Sequence, residues 1–169
     1  MKKIYIFLAV FISSLSALAQ ISINTDIVKI KLPRGTVLVN KPMTVPQSDG
    51  TIELVKGGEY QYENIFLSIW PSKKKQLPTK CLEDINFSRK NRGWGSENKP
   101  IGEDLHVKVP IGMNVWAWQV KYSEYVSCQF YITNKDKTSK VSGWIQFDPG
   151  VDEKAKVYLE RILKGITFI

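Results

Sequence analysis

One histidine serves the whole 169-residue chain, and it closes an acidic run, Glu103-Asp104-Leu105-His106. An imidazole beside two carboxylates is the least that general acid–base chemistry requires. The same side chains would begin a metal site, but a metal needs further ligands, and no spacing in the chain supplies them. There is no G-x-S-x-G nucleophile elbow. A phosphate-cradling glycine motif and an H-E-x-x-H zinc motif are absent as well. The plain reading of 103–106 is a charged loop entering a strand whose polar side holds His106. No catalytic residue and no metal ligand is assigned, the chain reads as a non-enzyme, and no cofactor is expected.

The most ligand-like stretch is Arg89-Lys90-Asn91-Arg92-Gly93-Trp94-Gly95, which joins three cations to a glycine-flanked tryptophan. Arginine suits carboxylate or phosphate, and an indole can stack. Arg89, Arg92 and Trp94 are therefore candidate binding residues, for a small anion or for an acidic partner protein. Cys81 and Cys128 are the only cysteines. An even count in an exported chain points to one disulfide, worth roughly 4 kcal/mol in the loop-entropy model. The alternative is two separate buried thiols. With one histidine they are too few for the usual structural zinc site.

Export is read from the opening MKKIYIFLAVFISSLSALAQ: two lysines, an apolar run, then Ala17-Leu18-Ala19. This is the pattern of a secretory signal peptide over 1–19, cleaved after Ala19. The apolar run is short for a membrane span, which needs about 20 residues. No cysteine follows it to carry a lipid, and no later segment is apolar enough to span. Residues 20–169 are then one domain, periplasmic or secreted, of a size that holds a real core. The chain's net charge of +8 would attract nucleic acid, anionic lipid or an acidic protein, and export sets nucleic acid aside.

The elements follow from periodicity. Val28, Ile30 and Leu32 alternate with lysines, a half-buried strand broken by Pro33-Arg34-Gly35. Thr36–Val39, Thr51–Val55, Tyr60–Trp70 and Leu105–Val109 read as further strands, with a hairpin signal at Lys56-Gly57-Gly58. Thr79–Arg89 reads as a short helix, with Leu82 and Ile85 inward and Cys81 beside them. Over Asp152–Lys164, Ala155, Tyr158, Leu159, Ile162 and Leu163 fall on one helical stripe. Acids lie in its first turn and bases in its last, and Gly165 is its expected stop. Ile166–Ile169 should return to the sheet or its edge. The fold class is α+β: an antiparallel sheet of about six to eight strands, covered by the C-terminal amphipathic helix, with a second short helix.

Register comes from matching apolar faces. Val126, Cys128, Phe130 and Ile132 share one face of a strand. Pairing Ile132 with Val141 sets Cys128 by Ile145 and Val126 by Phe147. On the other side, Val120 is expected opposite Cys128, Trp118 opposite Phe130 and Trp116 opposite Ile132, joined by Ser123-Glu124-Tyr125. Trp116 and Trp118 would then be core residues under the final helix. The reverse face carries Ala117, Gln119, Lys121, Tyr125, Ser127, Gln129, Tyr131, Trp144 and Gln146. Aromatics among glutamines are common at protein interfaces, so Gln129, Tyr131 and Trp144 join the candidate binding residues.

The segments LPRG (Leu32–Gly35) and LERILKGITF (Leu159–Phe168), with an extended start and a final helix, resemble the PsbP-like group of small α/β/α domains. That resemblance implies an exported bacterial protein that binds rather than catalyses, and it supplies no catalytic residues. The functional expectation is a non-catalytic protein acting by protein–protein interaction in the periplasm, such as an immunity protein or inhibitor against a toxin or envelope enzyme. The alternative is an envelope protein that binds a small anion or glycan.

Overall fold

A computed structural model describes residues 20–41, 43–46, 52–56, 58–90 and 103–169, with 43–46 and 52–56 described by backbone alone. The expected signal peptide and the stretch holding Arg92 and Trp94 lie outside the described residues. The strands are β1 (Ser22–Asn24), β2 (Val28–Lys31), β3 (Val37–Asn40), β4 (Met43–Pro46), β5 (Ile52–Lys56), β6 (Gly58–Tyr62), β7 (Ile65–Pro71), β8 (Glu103–Asp104), β9 (Met113–Lys121), β10 (Val126–Asn134), β11 (Lys140–Phe147) and β12 (Ile166–Phe168). The helices are α1 (Pro78–Lys90), between β7 and β8, and α2 (Asp152–Lys164), between β11 and β12.

The class is the expected α+β. A seven-stranded antiparallel sheet runs β3-β6-β7-β11-β10-β9-β8, and a three-stranded one runs β1-β2-β12. β4 and β5 pair with each other. Alternation makes β2 what it is: Val28 and Ile30 are fully buried while Lys29 and Lys31 face water. The C-terminal strand returns to β2, not to the large sheet, with Ile166 opposite Ile30.

The main core fills one face of the large sheet. Leu67, Ile69, Cys128, Phe130, Ile132, Val141 and Ile145 meet Val28, Ile30 and Leu32 of the small sheet's side and Ala155, Tyr158, Leu159, Ile162 and Leu163 of α2. Gly143 lets Phe130 in, because a Cβ there would lie 2.5 Å from the Phe130 ring and 2.7 Å from the Ser68 carbonyl. The LPRG turn is tied to α2. Gly35 takes φ +85°, a conformation that favours glycine, beside the Tyr62 ring. Thr36 Oγ1 and the Tyr158 hydroxyl share a buried hydrogen bond of 3.0 Å. Tyr158 stacks on Tyr62 with centroids 4.6 Å apart, and Arg161 lies over the Tyr62 ring at 5.7 Å. Burial pushes the Tyr158 hydroxyl up to about 12, against the smaller lowering effect of Thr36.

Several expectations are corrected. Tyr60–Trp70 is two strands, because Glu63 adopts a left-handed φ of 53° and turns the chain between β6 and β7. The hairpin between them falls at Glu63-Asn64, and Gly57 of the Lys56-Gly57-Gly58 signal lies outside the described residues. In Leu105–Val109, Leu105 and Val107 are half-buried against exposed His106 and Lys108 as expected, but Val109 is exposed and the segment is not a strand. The Leu105 amide bonds to the Ala117 carbonyl, and the chain then leaves β9 until the Lys108 amide donates to Glu160 of α2. Gly165 ends α2 as expected, yet with an ordinary φ of −81°. Its reason is space: a Cβ there would stand 2.1 Å from the Lys31 carbonyl oxygen.

The pairing of β10 with β11 is as expected, with Ile132 opposite Val141, Cys128 opposite Ile145 and Val126 opposite Phe147. That of β9 with β10 is shifted by one residue. Ala117 lies opposite Phe130, Trp118 opposite Gln129 and Trp116 opposite Tyr131. The turn explains the shift: the Tyr122 amide donates to the Tyr125 carbonyl at 2.8 Å, leaving Ser123-Glu124 as a two-residue connection. A one-residue shift exchanges faces, so Trp116 and Trp118 point away from α2.

The disulfide is also corrected. Cys81 sits on α1, against the reverse face, whereas Cys128 points into the main core on the opposite face. Both are free, buried thiols, and burial pushes Cys128 up to about 12. A reducing agent is therefore expected to leave the urea midpoint unchanged, and native protein should not react with a thiol reagent. A midpoint that drops on reduction would restore the bridge.

Candidate binding face

α1 lies over one half of the reverse face. Cys81 and Ile85 pack on Trp118 and Tyr131, with Trp116 partly buried beside them. Trp118 stacks on Tyr131 with centroids 5.7 Å apart. Three polar ties hold the helix down. The Tyr131 hydroxyl donates to Ser88 Oγ at 2.7 Å, Lys140 pairs with Asp84, and Arg89 pairs with Asp104. Lys80 adds an i,i+4 partner to Asp84 at 3.3 Å.

Burial works to raise the Asp84 carboxyl, but the hydrogen bond and charge of Lys140, with Lys80, outweigh it and hold the group below its ordinary value. A depressed folded pKa gives stability that is present above the unfolded value, near 3.9, and is lost as pH falls through the folded one. Wild type is therefore expected to lose stability below about pH 4 more steeply than Asp84→Asn, as read by urea unfolding at a series of pH values. Parallel pH profiles would contradict the tie.

The other half of the reverse face is open among the described residues. Tyr122, Tyr125, Ser127, Gln129, Trp144 and Gln146, all half-buried, line a cleft of about 270 Å³. The strands place them by register: Gln129 is opposite Trp144 and Ser127 opposite Gln146. The two-residue turn stacks Tyr122 on Tyr125, centroids 4.6 Å apart. Burial, and then Tyr125 beside it, pushes the Tyr122 hydroxyl up, so it stays a protonated donor. Gln129 Nε2 donates to the Tyr131 hydroxyl at 3.3 Å, which leaves its carbonyl oxygen for the cleft. Among the described residues the Trp144 indole N–H, the Gln146 amide and the Ser127 hydroxyl make no hydrogen bond within the protein. None of the six lining side chains is charged.

Of the sequence-predicted residues, the structure brings Gln129 and Trp144 together in this cleft. Tyr131 is not in the cleft: at 7% exposure it lies under α1. Arg89 belongs elsewhere, in a smaller hollow of about 170 Å³ with Asp104, His106, Trp116 and Trp118. There Asp104 is engaged by Arg89, and Glu103 accepts from Gln119 at 3.4 Å. Among the described residues no group of three or more His, Cys, Asp or Glu side chains is placed to hold a metal. Sequence reasoning missed the Tyr122–Tyr125 wall, because the register expected from apolar faces carries Tyr122 to the core face along with Trp118 and Val120. The signal was present as Tyr-x-x-Tyr spanning a two-residue turn. No helix among the described residues is long and apolar enough to cross a membrane. No family model and no curated protein matches the chain.

Proposed function

We propose that this is an exported, non-catalytic protein that works by binding another protein through the open half of its reverse face. The observation that carries the proposal is the cleft around Trp144: among the described residues, three aromatic rings, unspent hydrogen-bonding groups and no charge, beside the part of the face that the helix α1 covers. Tyr and Trp supply large rigid contact area at little entropic cost, and amides and hydroxyls adapt around them. The opening MKKIYIFLAVFISSLSALAQ supports export to the periplasm, and the net charge, +8 for the whole chain and +6 without the two lysines of the signal peptide, favours an acidic partner drawn in by long-range attraction. An immunity protein or inhibitor that neutralises a toxin or envelope enzyme is the concrete form of this reading. The PsbP-like resemblance agrees with a binding role. Residues in or flanking the two segments that carry it are bonded: Thr36, just after LPRG, to Tyr158, just before LERILKGITF, and the Lys31 amide, just before LPRG, to the Gly165 carbonyl at 2.9 Å.

A small-ligand reading has one observation in its favour, since rings and amides without charge also suit a neutral glycan. An anion is not favoured at this cleft, where the described residues offer no cation. The experiment is co-purification from an envelope extract followed by gel filtration of the complex. A stoichiometric complex that survives gel filtration and is lost in Trp144→Ala supports a protein partner. A chain that stays monomeric while its tryptophan fluorescence responds to neutral oligosaccharides would favour the glycan.

A further inference from the structure

Resting on that reading, we propose that the Trp144 cleft takes an uncharged, proline-bearing segment of the partner in the polyproline II conformation. The first ground is charge. Among the described residues no cation or anion lines the cleft, although 24% of the chain's residues are charged. A charged segment would be desolvated there without a counter-charge.

The second ground is shape. The cleft lies on the face of a sheet, where the strand backbones already bond to each other, so a partner cannot add as a further strand. At about 270 Å³ it is too small and shallow to seat a helix about 10–12 Å across. The aromatic strip runs from Tyr122 and Tyr125, at the β9–β10 turn, past Trp144 on β11 to Phe66 on β7. Phe66 lies opposite Gln146 and is 36% exposed. Four strands about 4.8 Å apart make a strip roughly 14 Å long, which matches four to five residues of polyproline II at about 3.1 Å each. A single sugar ring would leave most of it bare.

The third ground is hydrogen bonding. A polyproline II segment has no internal hydrogen bonds, so its carbonyls are open acceptors. The cleft offers donors to them: the Trp144 indole N–H, the Gln146 amide and the Tyr122 hydroxyl. Prolyl rings would pack between Trp144 and the stacked tyrosines, the mode in which aromatic grooves read such segments.

The test uses the full exported chain and a blocked proline–alanine peptide, with proton–nitrogen spectra reading the five tryptophan indoles. The peptide is expected to shift the Trp144 indole signal, assigned by its loss in Trp144→Phe, while leaving that of buried Trp118 in place. The shift should persist in high salt, and Gln146→Ala should weaken binding about tenfold, the size of one lost interface anchor. A maltose oligomer that shifts the same signal while the peptide does not would overturn the proposal in favour of a glycan. A glutamate-rich peptide that binds better, and is released by salt, would overturn it in favour of an acidic segment. If neither peptide shifts the signal but Trp144→Ala still destroys the natural complex, the segment chemistry is wrong and the binding face stands. If Trp144→Ala leaves that complex intact, the face falls too.

Discussion

Replacing Trp118 with alanine is expected to destabilise the protein by about 3–5 kcal/mol, the usual range for a large aromatic removed from a core. Trp118 is 2% exposed. It fills the space between β9 and α1, stacked on Tyr131 and capped by Cys81 and Ile85. The helix cannot easily sink into the cavity, because Asp84–Lys140 and Tyr131–Ser88 hold it at its present height. Urea unfolding measures the loss. Trp116→Ala, at a half-buried position, should cost clearly less, and the order of the two variants tests the face assignment. A Trp118→Ala loss below about 1 kcal/mol would place that side chain in water.

Gly165→Ala is the second large effect, expected near 3 kcal/mol, as for overpacking a well-filled site. At this φ alanine is conformationally acceptable, so helix-end preference alone would make the change nearly neutral. What forbids it is the Lys31 carbonyl oxygen, 2.1 Å from where the new Cβ would be. That oxygen belongs to β2, which is paired on both sides, with β1 and β12. Relief would separate the end of α2 from the small sheet and strain the Lys31–Gly165 hydrogen bond. Thermal or urea unfolding reads the result. A change within about 0.5 kcal/mol would mean that helix and strand stand further apart than described.

These two residues mark where sequence reasoning succeeded and where it stopped. α2 was legible to the residue, because its apolar stripe, its charged ends and Gly165 all agree. The β10–β11 register was equally legible, since one face is continuously apolar, from Val126 through Ile132 and from Val141 through Phe147. β9 was not, because both of its faces are covered. Ala117 packs on the main core while Trp118 packs under α1, so period alone could not tell which set belonged to which side. Turn chemistry decided it, through a two-residue connection without the glycine that usually announces one. The cysteines misled for a related reason. Pairing was inferred from count and compartment, while the sheet that separates them was a tertiary fact. For the binding face, Gln129 and Trp144 were visible as aromatics among glutamines. Tyr131 was removed from that face only by the helix above it.

The central claim is that a partner protein binds the open reverse face at Trp144. It is tested most directly by measuring the affinity of wild type and Trp144→Ala for the partner recovered in the co-purification, with equal unfolding midpoints confirming that the variant is folded. The account predicts at least about a tenfold loss on removing this ring, with a smaller loss for Phe66→Ala at the edge of the strip. Equal affinity of wild type and Trp144→Ala would contradict it.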